Sequence, residues 1–136
     1  SVASKECDGQ MPLMNDPSFA GRVAELEIRN EALHLQELMT LEKLSKGGSP
    51  GPSSSLAKNS SVDINQEINT LKLEAVHYYG LPNANKISLN GHNDEWVGES
   101  YSETVTSRYI NSRASSVFGG SREVQKNIIA KAVLGL

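Results

Sequence analysis

Apolar residues recur three and four positions apart over most of this chain, and nowhere do they alternate for long enough to build a strand. After Asp16 they fall in two neighbouring stripes: Phe19, Val23, Leu26, Leu33 and Leu44 on one, Ala24, Ile28, Ala32, Leu35 and Met39 on the next. The spacing predicts a helix over 17–46, with Asp16 as its cap and Pro17 at the first helical position, where a missing N–H costs nothing. Two stripes on one helix call for two packing partners, as in a bundle. Glu25, Glu27, Arg29 and Glu31 take the solvated side. The Gly- and Pro-rich run from Gly47 to Ser53 is a loop.

A second helix, about 54–79, carries Ile64, Ile68, Leu71, Ala75 and Tyr78 toward a core, and Gly80 and Pro82 stop it. A third, about 102–116, follows Tyr101 with Val105 and Tyr109 on the same side, leaving Arg108 and Arg113 exposed or paired. A fourth, 122–134, is capped by Ser121 and sets Val124, Ile128 and Ala132 beside Ile129 and Val133. Residues 1–15 read as a connecting strap and 80–101 as a long surface loop holding Trp96. The pattern predicts one all-α domain over 1–136, an up-and-down helical bundle of about four helices.

Composition narrows the function classes. At 136 residues, 38% of them apolar, the chain has enough material to bury roughly two thirds of its unfolded surface. Its 13 basic and 16 acidic side chains give a net charge of −3 with no basic stripe, which argues against nucleic acid as a partner. Charges interrupt every apolar stretch well short of the ~20 residues a membrane span needs. The lone Cys7 excludes an internal disulfide and any cysteine-pair metal or redox motif, pointing to a reducing, cytoplasmic setting. The opening at Ser1, with no apolar leader, reads as a piece of a longer protein.

Little catalytic chemistry is legible. His34, His77 and His92 have no partners at metal-ligand spacing, nothing beside Cys7 marks it as a thiolate, and no carboxylates can be paired as acid and base. The one local constellation with a mechanism runs from Phe118 through Gly119, Gly120, Ser121, Arg122 and Glu123 to Gln125. Two glycines before a helix cap let a ligand approach the backbone, and free N–H groups at a helix start favour an anion such as a phosphate. Ser121 adds a hydroxyl and Arg122 a charge. The plainer reading, favoured on local pattern, is a tight turn in which the glycines supply unusual backbone angles and Ser121 merely caps. By the same logic His77-Tyr78-Tyr79-Gly80 reads first as a helix end tucked into the core.

The run from Ser112-Arg113-Ala114-Ser115-Ser116-Val117-Phe118-Gly119-Gly120-Ser121-Arg122-Glu123-Val124-Gln125 to Leu136 closely resembles the C-terminal end of acyl-CoA dehydrogenases. Gly9 to Phe19 is similar to that family's approach to its long helix, Lys46 to Pro52 to the loop after it, and Glu74 to Pro82 to the end of the next. The resemblance spans essentially the whole chain and implies the C-terminal helical domain, without its first helix and without the family's N-terminal helical and middle β-domains. It implies that Gly120, Ser121, Arg122 and Glu123 contact the adenosine and pyrophosphate part of FAD, partly across a subunit boundary. His77 stands where many members have a glutamine touching a neighbouring subunit's flavin, and Lys5 lies near the place of a flavin-binding arginine.

One branch of the family carries its catalytic glutamate where this chain has Gly119, a position facing substrate, and a glycine cannot abstract a proton. Another branch carries the base on the helix this chain lacks, so no catalytic residue is assigned here. The implied parent reaction is α,β-dehydrogenation of an acyl-CoA thioester, with FAD as cofactor, an electron-transferring flavoprotein as oxidant and a homo-tetramer as assembly. This span alone is expected to be inactive. The alternative is a non-catalytic helical interaction module derived from the same fold.

Overall fold

A computed structural model describes residues 4–8, 11–82, 96 and 98–135. Among the described residues four α-helices dominate: α1 Pro17–Ser45, α2 Ser53–Val76, α3 Val105–Ser112 and α4 Arg122–Leu134. A minimal two-stranded sheet pairs β1 Cys7–Asp8 antiparallel to β2 Met11–Pro12, with Cys7 opposite Pro12. The N-terminal strap thus contains a short ladder, followed by a 3-10 turn over Leu13–Asn15. Leu13 donates its N–H to the Glu6 carbonyl at 2.9 Å and buries its side chain.

The start of α1 is the one its sequence specifies. Asp16 accepts from the Ser18 and Phe19 N–H groups at 3.1 and 3.2 Å, and Pro17 takes the first turn. At the far end Gly47 adopts a φ of 79° and the Gly48 N–H returns to the Lys43 carbonyl, closing the helix. From there the chain reverses into α2, which packs against α1, α3 and α4 and is the central element of the fold. The core lies between α1 and α2: Leu13, Phe19, Leu26, Ile64, Leu71 and Ala75 are buried, with Met14, Val23, Leu33 and Ile68 packed against them.

Three expectations are corrected. The helix expected to reach residue 79 stops at Val76, because His77 turns to φ 46° and the chain continues as a 3-10 turn over His77–Gly80. Tyr78 therefore points outward, 84% exposed, and only Gly80 of that segment is buried. A Cβ at Gly80 would meet Leu73 Cδ1 at 2.7 Å and Val76 Cγ2 at 3.0 Å, so a larger residue there would have to displace these side chains. The third helix is shorter than expected, since 3-10 turns over Ser100–Ser102 and Arg113–Ser116 flank it.

The second apolar stripe of α1 finds no partner among the described residues. Ile28, Leu35 and Met39 are 72%, 53% and 71% exposed, and Leu44 of the first stripe is exposed as well. Helix α4 likewise buries none of its residues fully. Most of the expected 80–101 loop, residues 83–95 and 97 with His92, lies outside the described residues. Trp96 donates its indole N–H to Ser102 Oγ at 2.7 Å, and the Tyr101 hydroxyl reaches the Glu6 carboxylate, tying this region to the strap. No helix of the described residues is long and apolar enough to cross a membrane.

Candidate functional site

The turn between α3 and α4 is built by its backbone. Gly119 and Gly120 adopt φ values of 70° and 95°, which L-residues rarely take, so the two glycines are required by the path of the chain. The two differ in surroundings. A Cβ at Gly119 would find only Lys58 Cε, at 3.8 Å, so one side of the turn is open; at Gly120 the flexible amide of Gln125 would be 2.3 Å away. Val117 and Phe118, both exposed, lead into the turn.

Ser121 has extended backbone and caps α4, its Oγ accepting from the Val124 N–H at 3.4 Å, while the Gln125 N–H makes the first intrahelical bond to the Ser121 carbonyl. The Glu123 carboxyl is held below the ordinary carboxylate value, chiefly by its own backbone N–H and next by the Ser121 hydroxyl. Two of the four donors that open the helix are therefore satisfied within the turn, and the Arg122 N–H is among those without a partner inside the helix. The chemistry differs from that of a bare helix start. An ionised carboxylate beside one free N–H and a hydroxyl suits a ligand with hydroxyl donors, such as a ribose; phosphate oxygens would sit against the Glu123 charge.

Arg122 reaches across to α2. Its guanidinium pairs with Asp63 on α2. The two line a polar cleft of about 330 Å³ together with Arg29, Gln66, Thr70 and Arg113. Arg113 stacks over the Tyr109 ring, 4.5 Å from its centroid, and donates to Thr70 Oγ1 at 3.1 Å. Gln66 Nε2 donates to the Ser112 carbonyl at 3.2 Å, and Lys58 Nζ to the Ser115 carbonyl at 2.7 Å. One side of α2 thus grips the segment that enters and leaves the glycine turn. No sequence motif singles out Lys58, Asp63, Gln66 or Thr70. The last three recur at helical spacing, a polar stripe between apolar ones, which was the available signal.

His77 is not brought to this turn. It is exposed and stands fourteen residues beyond Asp63, roughly 21 Å along α2 at about 1.5 Å per residue. Lys5 lies in the strap, also exposed. Among the described residues no group of three or more His, Cys, Asp or Glu side chains could hold a metal ion.

A glycine turn thus opens a capped helix that is clamped to the central helix of an all-α bundle. Sequence comparison gives the family: residues 2–134 match the acyl-CoA dehydrogenase C-terminal domain. The chain belongs to the acyl-CoA dehydrogenase family. It is 47% identical over 47 residues to acyl-CoA dehydrogenase IpdE1 of Mycolicibacterium smegmatis, a match covering 35% of this chain and 10% of that relative's length. No solved structure matches the chain significantly.

Proposed function

We propose that this chain is the C-terminal helical domain of a flavin-dependent acyl-CoA dehydrogenase, contributing part of the FAD site and part of the subunit interface. The observation that carries the reading is the Gly119-Gly120-Ser121 turn. Its open face, free Arg122 N–H and Ser121–Glu123 pair suit the hydroxyl-rich nucleotide half of FAD in a domain of this family. Bound FAD supplies the acceptor for hydride leaving the β-carbon of the acyl thioester.

In this reading the chain's own residues bind and orient. Gly119 and Gly120 let the backbone come close, Ser121 and Glu123 engage hydroxyl groups, and Arg122 braces the turn against Asp63. His77, remote from this turn, serves the flavin of another subunit. No carboxylate stands at Gly119, so the proton-abstracting base comes from outside these residues. The exposed stripe of α1 is the surface through which subunits associate, as a homo-tetramer. Acyl-CoA as substrate, an electron-transferring flavoprotein as oxidant and a cytoplasmic setting complete the proposal.

Gly120→Val in the full-length enzyme tests it. The branched side chain should strip flavin, read as the ratio of 450 to 280 nm absorbance, while apoprotein stability falls less. Full flavin occupancy together with equal loss of stability in apo and holo forms would leave the turn a plain helix connection.

A further inference from the structure

Four side chains on one side of α2 hold the chain on both flanks of the glycine turn. Lys58 Nζ takes the Ser115 carbonyl at 2.7 Å, Gln66 Nε2 the Ser112 carbonyl at 3.2 Å, Thr70 Oγ1 the Arg113 guanidinium at 3.1 Å, and Asp63 pairs with Arg122. Between the Ser115 and Arg122 anchors the turn hangs free, its notional Cβ atom at Gly119 nearest to the Lys58 stem. Lys58 is half-buried, and its ammonium is spent on a backbone carbonyl rather than on a carboxylate. A charged donor committed to a main-chain oxygen in this way fixes backbone position, since it can satisfy that oxygen only in one placement of the loop.

We propose that Lys58 and Asp63 are positioning residues for the flavin-holding turn, setting its approach to the nucleotide without touching it. The inference rests on the reading of the turn under Proposed function. Releasing either anchor lengthens the free segment, and the conformations it gains must be lost again when the nucleotide binds. The cost falls on ligand affinity and on local order rather than on the α1–α2 cluster of Leu13, Phe19, Leu26, Ile64, Leu71 and Ala75.

The full-length apoenzyme and FAD itself are the reagents for the test. Lys58→Met and Asp63→Asn should each raise the FAD dissociation constant about tenfold, the scale of one charge-assisted hydrogen bond. Backbone hydrogen exchange over 117–122 should quicken while α1 and the C-terminal half of α2 keep their protection. Lys58→Arg, which keeps a cation within reach of Ser115, should restore FAD affinity to within about threefold. Unchanged FAD affinity in both Lys58→Met and Asp63→Asn overturns the inference, and so does protection lost equally throughout α1 and α2. Gly120→Val separates the failures: if it strips FAD while the α2 variants do not, the positioning role alone falls, and if it too retains FAD, the reading of the turn falls with it.

Discussion

Arg22 of α1 and Glu74 of α2 meet in a two-pronged ion pair, Nη1 lying 2.6 Å from Oε2 and Nη2 3.1 Å from Oε1. Glu67, two turns earlier on α2, adds a longer contact at 3.5 Å. Both main partners are about two-fifths exposed, so water screens much of the attraction. Arg22→Lys, which cannot make the fork, should cost about 0.5–1 kcal/mol in urea unfolding. The difference should shrink in about 1 M salt.

The two stripes of α1 should respond oppositely to truncation. Leu71 faces the first stripe in the α1–α2 core and is 6% exposed, so Leu71→Ala should destabilise by about 2–5 kcal/mol. Ile28, on the second stripe and 72% exposed, should tolerate serine within about 0.5 kcal/mol. The same Ile28→Ser change should weaken self-association in a sedimentation concentration series, because the removed side chain belongs to the uncovered face. A large loss of monomer stability from Ile28→Ser would contradict this division.

The Tyr101–Glu6 contact sets an alkaline limit. Hydrogen bonding to the Glu6 carboxylate, with desolvation next, pushes the phenol up from 10.0 to about 12. Folding therefore favours the protonated phenol. Its contribution is fully present below pH 10 and is lost as the pH rises from about 10 to about 12. Melting temperature followed between pH 9 and 12 should fall more steeply in the parent protein than in Tyr101→Phe.

Ser121→Ala should be mild. The cap bond to Val124 is long at 3.4 Å, which places its loss near the lower end of the usual range, about 0.5–1 kcal/mol in thermal unfolding. In the full-length enzyme FAD affinity should fall in addition, since Ser121 also braces the Glu123 carboxylate. Isothermal titration of apoenzyme with FAD measures that second loss separately.

The chain alone, supplied with FAD and an artificial electron acceptor, should leave short-, long- and steroid-chain acyl-CoA thioesters untouched. It has no carboxylate at position 119, and one turn offers too few contacts to hold the cofactor at useful affinity. Reproducible turnover would place the base within these residues.

What could be read in advance was local. Asp16-Pro17, Gly47-Gly48 and Ser121 act through neighbours two to five residues away, and there the helix ends fall where cap and stop chemistry puts them. Tyr78 shows the limit: its spacing continues the α2 stripe, yet one backbone angle at His77 turns it to solvent, and periodicity carries no information about such an angle. The exposed stripe of α1 is legible as apolar, but its covering is not, because that depends on long-range packing that spacing does not encode. At the turn, the glycines and the cap announced themselves. The Asp63–Arg122 pair, 59 residues apart, did not.

The backbone of His77, at φ 46° and ψ −123°, occupies a region that glycine enters freely and a branched or ring-bearing residue enters only under strain of order 1–3 kcal/mol. Its side chain is exposed. A laboratory selection for heat resistance alone would therefore drive position 77 to glycine within a few rounds. A parallel selection that also demanded working holoenzyme tests the proposed flavin contact: the ring kept there and lost in the first lineage supports it, and glycine in both lineages overturns it.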